Sequence, residues 1–363
     1  MIRFGTRPIE SEFGLLDCFE LCRSKRRVPQ PSAPCYCNGK ECNSVCPFKP
    51  DFAQWLSDVN GLCFDTLAQI SQAPLTLPQY IPLIHHGYCR HRPLDWPVVA
   101  IETYEVFRLQ KGQYRALTQT PDELRRAFCL APGVKVLLLG TADDPSLERY
   151  WEYRKKDDAA GQLAPLGVLA AIGPNFSHFL DVPRTDNLFN RKRQLICLLE
   201  LHRAGICPIP HLSTVAPGDW RFWSQYLVTQ PSVCAVALEF QTGNKNRAEG
   251  RKVLDRLTLL QQQVGRSLHL IMVGGGQFVE YAAQRFAGVT LVDSAPFMSA
   301  VKRRAFEERV ARRSWKETYT LELQPLDDLL LANVTGYSGC LDSMIRSARS
   351  QQQDSGGAPR QPR

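Results

Sequence analysis

The sequence predicts an α/β fold: a parallel β/α domain, closed as a barrel or, alternatively, laid open as a doubly wound sheet. Three observations predict it. Strand-length apolar runs recur through the middle of the chain. Helix-length amphipathic stretches separate most of them. The runs are almost continuously apolar, the pattern of parallel strands buried on both faces rather than of half-exposed antiparallel ones. The barrel is the favoured form. Seven runs are countable, at 98–107, 135–140, 167–172, 206–211, 233–240, 268–273 and 289–292. An eighth candidate at 80–84 completes the number a barrel needs, although no helix fits between it and Val98.

The helical stretches lie at 122–130, 147–154, 185–204, 219–228, 247–264 and 278–286. The first has a marked start: Thr120 as N-cap, Pro121 at the first helical position and Glu123 as the returning acid of a capping box. Around this core the chain divides into zones. Residues 1–50 form a Cys-rich, basic segment expected to bind metal. Residues 51–95 form a helical and Pro-rich connector, with a helix expected at 52–71. Residues 96–315 are the β/α domain, 316–349 a C-terminal helical cap, and 350–363 a tail too polar to bury and expected to be disordered.

The 363 residues are enough for one large domain with a smaller one. No apolar run approaches the length of a membrane span, and the first residues, with Glu10, Glu12 and Asp17, hold no secretory apolar region. A cytoplasmic protein with no membrane partner is expected. The net charge of +8 is clustered, at Arg23, Lys25, Arg26 and Arg27 and again at Lys302, Arg303, Arg304, Arg309, Arg312, Arg313 and Lys316. Such clusters suit nucleic acid or phosphate; their plainer reading is a solvated helix face and a basic loop.

Of thirteen cysteines, six crowd together as Cys18-x3-Cys22 and Cys35-x-Cys37-x4-Cys42-x3-Cys46. Soft thiolates at this density point to zinc or an iron–sulfur cluster, and the adjacent basic residues favour the deprotonated form. Six ligands exceed one tetrahedral zinc, and the spacing is neither that of paired zinc ribbons nor that of ferredoxins. The other seven cysteines are scattered, and buried inert thiols are expected. His85, His86, Cys89 and His91 form a second dense group that could add a metal ligand; its plainer reading is a polar turn.

In parallel β/α folds ligands bind beyond the carboxyl ends of the strands. Read there, the chain offers Glu102 and Tyr104, then Asp143 and Asp144, then Asn175, Ser177, His178 and Asp181. Further on come His211 and Ser213, then Glu239, then Gly274, Gly275 and Gly276, and finally Asp293. Carboxylates converging on one mouth can perform acid–base chemistry or hold a divalent ion. The expected roles are Asp144, Asp181 and Glu239 as base or nucleophile, His178 or His211 as proton-transfer groups, and Arg184 as an anion clamp. Asn175, Ser177 and Asp293 are expected beside the substrate. The glycine triplet can leave amides free for a phosphate, or be a simple tight turn.

Part of the chain resembles a known family. Thr141 to Trp151 reads Thr-Ala-Asp-Asp-Pro-Ser-Leu-Glu-Arg-Tyr-Trp, similar to the D-D-x-x-(F/L)-E-R-x-W segment of a bacterial and phage family, domain of unknown function 4417. Pro174, Asn175, Phe176, Ser177, Asp181, Pro183, Asn190 and Arg191 resemble its second segment, and Gly205 to Pro210 with Trp220 its third. The likeness spans roughly residues 135–295 and implies a β/α fold and a bacterial or phage source, but no reaction. One departure stands out: Asn175 occupies a position where the family pattern has an acid.

The functional expectation is an enzyme acting at the strand ends on a phosphorylated small molecule, a nucleotide or a nucleic acid. The alternatives are a metal-stabilised nucleic-acid-binding protein and an iron–sulfur redox or radical protein. The radical-enzyme spacing C-x3-C-x2-C is absent.

Overall fold

The computed structural model describes residues 52–64, 69–309, 312–318 and 325–356. The Cys-rich segment and its six cysteines lie outside the described residues. The fold is α/β with parallel sheets. Eight strands alternate, for the most part, with helices: β1 (Tyr80–Pro82), β2 (Val98–Glu102), β5 (Lys135–Leu139), β6 (Ala170–Ile172), β7 (Pro208–Ile209), β8 (Ala235–Glu239), β9 (His269–Val273) and β10 (Gly288–Asp293). Two further strands, β3 (Phe107–Gln110) and β4 (Gln113–Ala116), form a hairpin after β2.

Pairing defines two four-stranded parallel sheets, in the orders β1-β10-β9-β8 and β2-β5-β6-β7. Single parallel bridges join them at both edges, Leu83 with Ala100 and His211 with Ala237. Backbone bonds carry each junction: Ile84 N donates to Ala100 O at 2.9 Å, and Leu212 N to Ala237 O at 2.8 Å.

Side-chain alternation splits the core in two. One face of the strands carries Ile81, Leu83, Val98, Ala100, Leu137, Leu139, Ala170, Ile172, Ile209, Ala235, Ala237, Ile271, Val273 and Val292, a cluster drawn from all eight strands. Small residues at several of these positions let side chains from many strands share one narrow space. The opposite face packs on helices in the larger cluster, which includes Val99, Ile101, Leu138, Trp223, Leu238 and Met272. Burial on both faces explains why the strands read as unbroken apolar runs.

The main helices are α1 (Phe52–Asp58), α2 (Pro121–Ala127), α3 (Asp144–Tyr153), α4 (Ala159–Leu163), α5 (Arg184–Arg203), α6 (Pro217–Thr229), α7 (Arg247–Val264), α8 (Val279–Ala283), α9 (Ala295–Val301) and α10 (Asp327–Gly356). The α2 start is as expected: Thr120 Oγ1 accepts from Glu123 N, and Glu123 reaches back to Gln119 N. At α6, Pro217 opens the helix and the buried Asp219 carboxylate accepts from the Val215 and Ala216 amides. No helix among the described residues is long and apolar enough to cross a membrane.

Several elements differ from the sequence reading. The helix expected at 52–71 ends at Asp58, where Asn60 and Gly61 turn left-handed. The 98–107 run ends as a strand at Glu102, and the hairpin that follows turns on Lys111 and Gly112, both at positive φ. The short helices α4 and α9 were not expected. Most of the basic stretch is not a helix face: β11 (Arg304–Arg309) pairs antiparallel with β12 (Arg312–Glu317). Phe306 and Trp315 pack on Tyr337 of α10, and Asn333 ties the hairpin backbone to that helix. The cap helix runs on to Gly356, past the expected start of a disordered tail at 350, because Ser and Gln continue a helix that tertiary packing has already nucleated. Of the seven scattered cysteines only Cys197 and Cys340 are buried, whereas Cys63, Cys89 and Cys234 are exposed, so the expectation of buried thiols fails for most of them.

Candidate active site

Alternation along the strands decides which polar residues share the face of the inner cluster. Continuing the phase of Ile81 and Leu83 reaches His85. That of Val98 and Ala100 reaches Glu102, Leu137 and Leu139 reach Thr141, Ile209 reaches His211, and Ala235 and Ala237 reach Glu239. Pairing persists to these positions: Glu102 is in register with Leu139, Glu239 with Val273, and His211 with Ala237. A polar layer therefore follows the apolar one at the carboxyl ends of the strands.

On the β1–β2 side, His85, Glu102 and Glu105 bring one ligand atom each within 4.8 Å of one another. His85 Nδ1 lies 2.6 Å from Glu105 Oε1. This bond, opposed by burial, raises the imidazole pKa. Burial raises that of Glu102; His85 opposes the shift, while Glu105 and Asp143 add to it. One imidazole and two carboxylates are hard and borderline ligands suited to a divalent cation, and an ion here would offset the burial, and the lesser like-charge repulsion, that raise the Glu102 carboxyl.

On the β6–β8 side, Asn175 Nδ2 donates to Glu239 Oε2 at 2.8 Å, and Asn175 Oδ1 accepts from Ala142 N at 3.1 Å. The second bond fixes the amide orientation. The loop carrying Asn175 is held against α5, where Gln194 donates to Pro174 O, Asn190 to Ser177 O and Asn187 to Phe179 O. His211 is 6% exposed; its Nδ1 lies 3.2 Å from Ser213 Oγ and its Nε2 meets no partner among the described residues. Burial lowers its pKa to about 4.

The remaining expected residues are dispersed. Asp144 is exposed in the first turn of α3 and accepts from Ser177 Oγ at 2.7 Å. Asp181 is exposed in the loop before α5. His178 donates from Nδ1 to Phe176 O, and burial, with the nearby Arg191, lowers its pKa to about 3. Arg184, expected to clamp an anion, is 1% exposed and pairs at 2.5 Å with Asp219, which also binds Arg191 at 2.6 Å. The two guanidiniums hold the Asp219 carboxyl far below its usual range against the opposing effect of burial. Asp293 turns to the helix side, accepting from Tyr337 Oη and Ala295 N. Gly274 and Gly275 have positive φ, and a Cβ on Gly275 would lie 2.4 Å from that of Phe240, so turn and packing both require glycine there. Gly276 opens the short turn before α8.

The structure thus brings Asn175 and Glu239 together and joins Ser177 to Asp144, but forms no contact among Asp144, Asp181 and His211. Glu105 was missed, and His85 was noted only as a member of a His/Cys group that could add a metal ligand. The dense His/Cys group of the sequence disperses: His85 meets Glu105, His86 packs on Phe128, and Cys89 faces His91. The signal that finds His85 is strand phase carried two residues past Leu83; Glu105 lies in an irregular turn where no periodicity applies. The chain matches no protein-family model and no curated protein sequence.

Proposed function

We propose that the eight parallel strands close into one barrel and that the chain is a divalent-metal enzyme with its centre at their carboxyl ends. The closure is supported by the bridges at both sheet edges and by an inner cluster to which every parallel strand contributes. The metal reading rests on one observation, the convergence of His85, Glu102 and Glu105 within 4.8 Å. These three leave coordination positions for water or substrate oxygen. Across the site Glu239, oriented by Asn175, is the candidate general base. A bound divalent ion supplies Lewis-acid polarisation of an oxygen ligand, and a phosphorylated substrate is the class that suits such an ion among acidic side chains. Cys18, Cys22, Cys35, Cys37, Cys42 and Cys46 are proposed as a separate thiolate site for zinc or an iron–sulfur cluster.

Titration of the full chain with Mn2+ by calorimetry tests the metal reading, since a hard ion prefers the oxygen-rich set over thiolates. One strong site is expected in the wild type. It should weaken in Glu102→Gln/Glu105→Gln by more than the roughly 10–100-fold that loss of an outer-shell partner costs. Equal binding by both proteins, or none by the wild type, rejects the assignment.

A further inference from the structure

The hydrogen bonds behind His211 favour one of its two neutral tautomers. Pro174 O can only accept, so the Gln194 side-chain nitrogen 3.0 Å away must face it. The same nitrogen lies 2.7 Å from Ser213 Oγ, which therefore accepts as well. The hydroxyl has a single hydrogen, and its remaining neighbour is His211 Nδ1 at 3.2 Å. The oxygen keeps a second lone pair, so either direction fits the 3.2 Å separation; the direction that uses the Ser213 hydrogen makes Nδ1 the acceptor and puts the proton of the neutral ring on Nε2. Burial holds the ring neutral at neutral pH. Strand phase places His211 on the face shared with Glu239, and Nε2 is buried with no acceptor among the described residues. Buried donors are nearly always paired, and an exception calls for a partner from outside the chain.

We propose that His211 is a neutral hydrogen-bond donor that presents Nε2–H to an acceptor oxygen of the substrate, phosphoryl or carbonyl, and is not a general base. This assignment rests on the strand-end site and gives its two sides distinct tasks. The cation set at His85 would neutralise one substrate oxygen and His211 would polarise another, with Glu239 left to accept a proton. His178 shows that the pattern is not generic to the histidines here. Its Nδ1 donates to the Phe176 carbonyl, so its Nε2 is a bare acceptor, the opposite tautomer.

The test is 15N NMR of the full chain labelled at its seven histidines, with His211→Gln identifying the signal. The expected result is an Nε2–H tautomer for His211, converting towards a mixture in Ser213→Ala. An Nδ1–H tautomer overturns the proposal. Inorganic phosphate is then added to the Mg2+-saturated protein. A shift of the His211 Nε2 resonance is expected, with phosphate affinity kept within a few-fold in His211→Gln, which retains a donor, and lost in His211→Ala. No shift leaves an ordered water as the only partner and overturns the substrate-facing role. The tautomer result does not depend on metal: failure to bind Mn2+ with Nε2–H intact rejects the cation site and leaves the donor assignment standing.

Discussion

The two sides of the strand-end site use the same residue types to opposite effect. At β1 and β2, His85 sits beside two carboxylates, so its charged form is favoured and the group suits a cation. At β6 to β8, His211 is buried with the Ser213 hydroxyl as its hydrogen-bond partner among the described residues, so its charged form is suppressed. Glu102 stands among like charges, whereas Glu239 has an amide donor. The difference teaches that the chemistry of a polar residue at a strand end is set by the element packed behind it. For His211 that element is α5, whose Gln194 and Arg191 brace the Ser213 segment.

The comparison breaks most severely through that brace. Asp219 is 0% exposed and neutralises Arg184 and Arg191, so Asp219→Asn leaves two buried guanidiniums poorly compensated. A loss of about 3–5 kcal/mol is expected in denaturant unfolding, with the β6–β8 side disrupted first. A cost under about 1 kcal/mol would show that water reaches this cluster and that it does not hold the site.

A sharper probe makes the two sides alike. Asn175→Asp sets a second carboxylate against Glu239, where the wild type has a 2.8 Å hydrogen bond. Two carboxyls at that distance cannot both ionise freely, so one pKa rises. A destabilisation of about 1–3 kcal/mol is expected at pH 7, shrinking near pH 5 as the pair takes up a shared proton. A cost that does not vary with pH would mean that the two groups separate.

The effect that is smallest at neutral pH concerns acid stability. His211 is buried and His178 and His269 are half-buried, with pKa values lowered to about 4, about 3 and about 4. Below about pH 6.5 the unfolded chain binds protons that the folded chain refuses, so stability falls as pH drops. The fall continues until the folded groups titrate, at about 3 to 4. Each histidine contributes a slope of at most about 1.4 kcal/mol per pH unit in that window. Unfolding curves between pH 7 and pH 4 should show it, and His211→Gln should flatten it. An unchanged slope would place His211 in contact with solvent.

Much of the fold was legible because burial on both faces writes itself into a strand as an apolar run. The runs at 135–140 and 268–273 match β5 and β9 closely, and the 247–264 helix coincides with α7. Elements stabilised from outside were not legible. The β11–β12 hairpin is rich in arginine and reads as solvated, yet Phe306, Trp315 and Asn333 fasten it to α10. Position at strand ends singled out Glu239, Asn175 and His211, and the structure joins the first two by a hydrogen bond. Arg184 was misread as an anion clamp because charge alone cannot reveal that its partner, Asp219, lies thirty-five residues away. Glu105 was missed, and His85 was not matched to it, because their pairing depends on where two loops land.

By itself, the sequence determined the alternating β/α plan, the ends of the strands as the polar layer, and the thiolate-rich segment at residues 1–50. These follow from local periodicity and composition. Tertiary structure alone decided which histidine meets carboxylates and which meets a hydroxyl, and which arginines are sealed around Asp219. The physical reason is range: apolar burial is recorded at every second or fourth residue, while a hydrogen bond or ion pair between distant segments leaves no trace in either one.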